Sequence, residues 1–260
     1  MRLGRFQLEE RVFLGRVEEN AVYEIKGDIL GEYAETDKVH DIGELKFLPP
    51  IDPPNVICIG LNYRSHAAES NMKLPQRPEV FFKLTTAVSA HEECIALPKI
   101  APRMVDNEAE LCAVIGKTAK DIEPEEALLH CLGFTCSNDI SARDCQLKLD
   151  NQWARGKSLD GFCPIGPWIE TELDVSDLEV EGLLNGVPMQ KSSTANMIFT
   201  IAQIISYCSK NFTLLPGTLI LTGTPEGVGY ARKPPVFVKP GDVYEVRIKG
   251  IGTLRNRFAG

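Results

Sequence analysis

Glu108-Ala-Glu-Leu-Cys-Ala-Val-Ile115, closed by Gly116, reads as a β-strand in which two acids lead into an apolar run. Upstream, NVICIGLNY (55–63) reads as a buried strand, RSHAAES (64–70) as a helical turn and VFFKL (80–84) as a further strand. Downstream, EPEEALLHCLG (123–133) fits a helix, with Pro124 in the first turn, acidic residues at the positive helix end and Gly133 as the stop. FTCSNDI (134–140) is another strand. The clearest helix is TANMIFTIAQIISYCSKN (194–211), where Met197, Ile201, Ile204, Ile205 and Cys208 form one apolar stripe, Thr194 is the cap and Asn211 the end. TLILTGT (218–224), VFVKPGDVYEVRIKG (236–250) and GTLRNRF (252–258) complete the β pattern, punctuated by Pro-Gly turns. The expected fold class is therefore mainly β with flanking helices, α+β.

Residues 1–48 alternate in short stretches, RLGRFQL, RVFLGRVE and AVYEIKG, which read as a small N-terminal β domain. The prolines of residues 49–54 lack the backbone donor that a helix or a central strand needs, so this segment reads as a linker to a main domain over 55–260.

The composition is 43% hydrophobic and 25% charged, and the net charge is -8. No basic cluster interrupts that acidity, which argues against a nucleic-acid partner. No apolar run reaches the roughly 18 residues that cross a bilayer, and MRLGRFQLEERV lacks the apolar core of a signal peptide. A cytoplasmic location without membrane contact is the expectation. The eight cysteines are scattered without a C-x-x-C pair and are expected to be reduced core thiols.

Glu108 and Glu110 alternate on the predicted strand, so both side chains leave one face and can converge on an ion. Asp139 offers a third carboxylate at the end of FTCSND. All-oxygen donors favour Mg²⁺ or Mn²⁺ over zinc. The pattern equally describes two acids on a solvated sheet face, with Asp139 as a turn residue. His66 and Glu69, three apart on a helical turn, can hydrogen-bond, although a surface histidine fits the same spacing.

The segments VDNEAELCAVIGK (105–117), FTCSNDISARDCQ (134–146), GKSLDGFCPIGPW (156–168) and LILTGTPEGVG (219–229) resemble, in order and separation, the signature segments of the fumarylacetoacetate hydrolase family. The likeness covers roughly residues 54–258 and points toward the branch of acylpyruvate hydrolases and 2-hydroxyhepta-2,4-diene-1,7-dioate isomerases. It implies a mixed β-sandwich roll, usually a homodimer, acting on a small 2-oxo acid. It implies Glu108, Glu110 and Asp139 as ligands of Mg²⁺ or Mn²⁺, Lys157 and the His66–Glu69 pair as catalytic groups, and Gln146 and Thr224 of the T-G-T-P turn as substrate contacts. Some relatives carry an arginine at the position of Leu61, and Arg64 is the candidate to replace it.

The expected chemistry is a metal-stabilised enolate of the 2-oxo acid. With His66 and Glu69 activating water, the outcome is C–C hydrolysis of a 2,4-dioxo acid of the acylpyruvate or fumarylacetoacetate type. Decarboxylation, isomerisation or tautomerisation of an oxaloacetate-like or 2-hydroxymuconate-like diacid, as in aromatic catabolism, is the alternative. A 2-oxo-acid-binding protein without turnover is the alternative of another class.

Overall fold

A computed structural model describes residues 1–101 and 103–260. Among these residues, twelve strands form the larger sheet. Its main path runs Tyr33–Asp41, Ala21–Gly27, Arg11–Glu18, Arg2–Leu8, Cys163–Glu170, Cys131–Asn138, Ala109–Ile115, Leu219–Leu221, Val56–Ile59 and Val80–Lys83. A five-stranded sheet packs against it, in the order Val187–Ser193, Glu179–Leu184, Val243–Ile248, Gly252–Ala259 and Cys94–Ala96. The result is the mixed β-sandwich roll, mainly β with flanking helices.

The strand Ala109–Ile115 is buried along its whole length because both of its faces meet apolar layers. Ala109, Leu111, Ala113 and Ile115 join the inter-sheet core with Val180, Tyr244, Val246 and Leu254. Cys112 and Val114, on the opposite face, pack with Val56, Cys58, Leu219 and Leu221. Burial on both sides explains why the run is continuously apolar rather than alternating.

Among the described residues, four α-helices flank the sheets: α1 (Arg64–Glu69), α2 (Pro124–Ala127), α3 (Ala154–Lys157) and α4 (Ile201–Asn211). Two boundaries differ from the sequence-based expectation. The segment 123–133 is helical only to His130, a short 3₁₀ turn following α2, and Cys131 already opens a strand. Gly133 lies inside that strand, where an added Cβ would meet the Glu170 carbonyl oxygen at 2.4 Å, so it serves close strand approach rather than helix termination. The helix expected from Thr194 starts only at Ile201, as α4, capped by Thr200, whose hydroxyl accepts from the Gln203 N–H at 3.3 Å while the Gln203 carboxamide oxygen accepts from the Thr200 N–H. Thr194 instead ties two segments together, donating to the Val175 carbonyl and accepting from the Leu178 N–H. Ile201, Ile204, Ile205 and Cys208 form the buried stripe of α4 as expected, whereas Met197, also buried, precedes the helix in extended backbone that bridges Tyr63.

All eight cysteines are free. Cys94 is exposed, and Cys131 is half-buried; the other six are core residues. Burial pushes the Cys136 and Cys163 thiols up to about 12, which leaves them inert as nucleophiles. No helix among the described residues is long and apolar enough to cross a membrane.

Candidate active site

Glu108, Glu110 and Asp139 converge because sheet register leaves them little choice. Alternation puts Glu108 and Glu110 on one face. Ala109 pairs with Asn138, and the Asp139 N–H donates to the Glu108 carbonyl at 3.0 Å, carrying the antiparallel pairing one residue further. Directly opposed residues share a face, so Asp139 joins the two glutamates. One ligand oxygen from each lies within 4.8 Å of the others. Glu110 is 1% exposed and Glu108 6%, so the solvated-face alternative fails.

Buried carboxylates at this density require compensation. Lys157, at the C-terminal end of α3, donates to Glu108 Oε2 at 2.7 Å and to Asp139 Oδ2 at 2.6 Å. Lys83, fully buried on its strand, donates to the other Asp139 oxygen and to the Ile140 carbonyl. Arg143 Nη2 lies 2.6 Å from Glu108 Oε1 and 2.9 Å from Asp106 Oδ2. Its Nη1 donates to the Gln146 carboxamide oxygen at 2.8 Å.

The three acids respond differently to this surrounding. Burial by itself would raise Glu108, but Lys157 and Arg143 outweigh it and hold the carboxyl well below the usual range. Glu110 goes the other way: burial, then the charges of Asp139 and Glu108, push it far up against the opposing pull of Lys157 and the Gly223 N–H, at 2.7 Å. Lys157 is raised; burial opposes the charge, and Asp139 and Glu108 prevail. Counting Asp106, four carboxyl groups face three cationic side chains, an excess of one negative charge when every group is ionised. An all-oxygen, buried, electron-rich set with one glutamate short of a cation fits a hard divalent ion.

A cavity of about 110 Å³ opens over this cluster. Glu108, Arg143, Gln146 and Lys157 line its polar side, and Leu61, Met72, Phe81 and Trp153 line an apolar side. His66 projects from α1 into the same cavity. Its Nδ1 lies 2.7 Å from Glu69 Oε1, and Glu69 Oε2 accepts from the Gly227 N–H at 2.8 Å.

Four of the site residues expected from sequence, His66, Glu108, Gln146 and Lys157, line this cavity. Glu69, Glu110 and Asp139 stand behind them, Glu69 bonded to His66, Asp139 to Lys157, and Glu110 grouped with Glu108 and Asp139. Two stand apart from this group. Arg64 is exposed at the first residue of α1. The Thr224 hydroxyl is occupied inside the protein, donating to the Ala109 carbonyl at 3.0 Å and accepting from Gln190 Nε2 at 2.8 Å. Sequence reasoning missed Lys83, Asp106 and Tyr230. Lys83 ends the apolar strand VFFK, and a lysine at the close of such a strand was the one available signal.

The fold and the site together define a β-sandwich with a His–Glu pair facing a buried carboxylate cluster across a small cavity. The profile of the fumarylacetoacetate (FAA) hydrolase C-terminal family matches residues 55–259, and that of the Rv2993c-like N-terminal family matches residues 1–50. The chain belongs to the fumarylacetoacetate hydrolase family of enzymes. It is 42% identical over 219 residues to the mitochondrial oxaloacetate tautomerase FAHD2A of Bos taurus, covering 82% of this chain and 69% of the relative. Among solved structures, it superposes on the 5-carboxymethyl-2-hydroxymuconate delta-isomerase of Mycobacterium smegmatis with a TM-score of 0.90 at 38% identity, covering 100% and 99% of the two chains. It superposes on a fumarylacetoacetate hydrolase of Exiguobacterium antarcticum with a TM-score of 0.88 at 36% identity, covering 100% and 99%.

Proposed function

We propose that this chain is a divalent-metal-dependent enzyme that moves a proton on a small 2-oxo acid, interconverting its keto and enol forms. The observation that carries this reading is the hydrogen-bonded His66–Glu69 pair facing the cationic and carboxylate groups across one cavity. A carboxylate only accepts, so Nδ1 of His66 is the donor and the free lone pair of a neutral ring resides on Nε2. Nε2 is thus the atom that takes a proton from the carbon next to the ketone, and Glu69 steadies the imidazolium that results.

Glu108, Glu110 and Asp139 are the residues that would hold Mg²⁺ or Mn²⁺. Such an ion supplies Lewis-acid charge to the substrate's oxygens when bound. Lys157 lines the cavity and gives bonds to Glu108 and Asp139, and its ammonium has a third N–H to offer to the developing negative charge. Gln146 accepts from Arg143 through its oxygen, which leaves its NH₂ group to donate to a substrate carboxylate. Arg143 is engaged by Asp106, Glu108 and Gln146, so its part is to orient these groups.

At about 110 Å³ the cavity is far smaller than the roughly 300–1,000 Å³ of usual ligand pockets, and it suits an acid of few carbons. The names of the cattle tautomerase and the mycobacterial isomerase support a proton transfer. A second reading, C–C hydrolysis of a 2,4-dioxo acid, is favoured by the apolar side formed by Leu61, Met72, Phe81 and Trp153, which suits an uncharged acyl tail.

The test is turnover of oxaloacetate, acetylpyruvate, fumarylpyruvate and a 2-hydroxymuconate-type diacid by the chelator-stripped protein, with and without Mg²⁺ or Mn²⁺, followed by NMR in D₂O. The expected result is metal-dependent deuterium exchange next to the ketone of oxaloacetate, slowed by roughly a hundredfold or more in His66→Ala. Acetate and pyruvate from acetylpyruvate would transfer the function to hydrolysis, and CO₂ release to decarboxylation. Binding without any turnover would make the chain a 2-oxo-acid-binding protein.

A further inference from the structure

Helix α1 carries the His66–Glu69 pair, yet it has only six residues and no side-chain bond at its N-cap. Helices shorter than about 12–15 residues are marginal by themselves in water, so the position of α1 must come from tertiary tethers. Three of these tethers come from a single turn. Ser65 Oγ bonds the Glu226 carboxylate, the Gly227 N–H donates to Glu69 Oε2 at 2.8 Å, and Ser70 Oγ lies 2.6 Å from the Tyr230 hydroxyl.

The turn is itself held firmly from below. Asp106 accepts from the Gly229 N–H at 2.8 Å and the Tyr230 N–H at 3.1 Å, while Arg232 reaches the Gly227 and Met189 carbonyls. Gly227 has φ +97°, and a Cβ there would fall 2.0 Å from the Met189 carbonyl oxygen. Only glycine can present its N–H to Glu69 in this place. The Tyr230 ring lies over the guanidinium of Arg143, 4.4 Å from its central carbon, and Arg143 in turn pairs with Glu108. A continuous set of contacts therefore runs from the carboxylate cluster through Arg143 and Tyr230 to α1.

We propose that the turn 226–230 is a clasp that fixes the catalytic rotamer of Glu69, with Gly227 and Tyr230 as positioning residues that couple the His66–Glu69 pair to Arg143. The inference rests on the proton-transfer reading for its effect on rate, but the clasp itself is a property of the protein without substrate. Tyr230→Phe keeps the ring over Arg143 and removes the bond to Ser70; Ser70→Ala removes the same bond from the other side. Both changes are small enough to leave the fold intact, whereas Gly227→Ala risks misfolding.

The experiment measures amide hydrogen exchange of residues 66–72 without substrate, kcat and KM on the substrate found active, and Tm, for both variants and the double variant. One lost hydrogen bond is expected to speed exchange in α1 by roughly three- to tenfold and to lower kcat by a similar factor. KM and Tm should hold, and the double variant should be no worse than either single one, because both substitutions remove one shared bond. Faster exchange in a protein that turns over nothing would support the clasp and reject the proposed reaction. Unchanged exchange, or effects that add in the double variant, would overturn the clasp.

Discussion

Glu110 is the acid least served by its surroundings, and its titration gives the cluster a distinctive pH behaviour. Its carboxyl is pushed up by burial and by Asp139 and Glu108, so without a cation the folded protein keeps a proton that the unfolded chain has released. Stability follows the difference in protons bound, and it falls with rising pH wherever the folded state holds more. The metal-free protein is therefore expected to lose Tm as pH rises from the ordinary glutamate range toward the elevated value. Glu108, held low, gives the opposite slope on the acid side of its ordinary value. A divalent ion should displace the Glu110 proton and flatten the upper slope, so Tm scans against pH with chelator and with Mg²⁺ test both the ion and its ligands. Identical profiles would count against binding at this cluster. The legible part of the site follows from spacing along the chain: Glu108 with Glu110, and His66 with Glu69. Lys83 was not legible because its partner Asp139 is 56 residues away. Tyr230 was hidden likewise, since its backbone is fixed by Asp106, 124 positions earlier.

At the level of elements, local propensity and tertiary geometry part company at Gly133. The acidic first turn and Pro124 do start a helix, and Glu123 and Glu126 form its capping box. The glycine, however, belongs to the next strand, and only the approach of Glu170 explains it. Replacing Gly133 with Ala forces a methyl into the Glu170 backbone and the Ile169 side chain, an overpacking expected to cost roughly 1–3 kcal/mol. A helix-stopping glycine at an exposed end would cost less and would leave the sheet untouched. Urea unfolding of the variant, with exchange of the Phe134 and Cys136 amides as the local readout, separates these outcomes. The start of α4 follows the same logic. The sequence pattern points to Thr194 as the cap, but Thr200 takes that place, because the Gln203 side chain three residues later closes a capping box with it.

On the scale of the whole molecule, the N-terminal strands are a continuation of the larger sheet rather than an appendage beside it. Arg2 and Leu3 pair with Glu170 and Ile169, and Leu3 is buried among Ile165, Ile169 and Leu219. Alternation in residues 1–48 announces strands, but it carries no mark of this partner, because the strand that receives them lies more than 150 residues further along the chain. The shared core predicts that both parts unfold together. The two tryptophans are placed to test this: Trp168 lies under the Arg2 guanidinium at the seam, and Trp153 lines the cavity against Phe81. With each converted in turn to Phe, the remaining tryptophan reports one region by fluorescence. Coincident transitions are expected for the two reporters. Leu3→Ala should shift both by the same amount, corresponding to roughly 2–5 kcal/mol for a buried leucine. A shift seen only by Trp168, with Trp153 unfolding where it did before, would show that residues 1–48 form a separate cooperative unit. The cavity would then be independent of them.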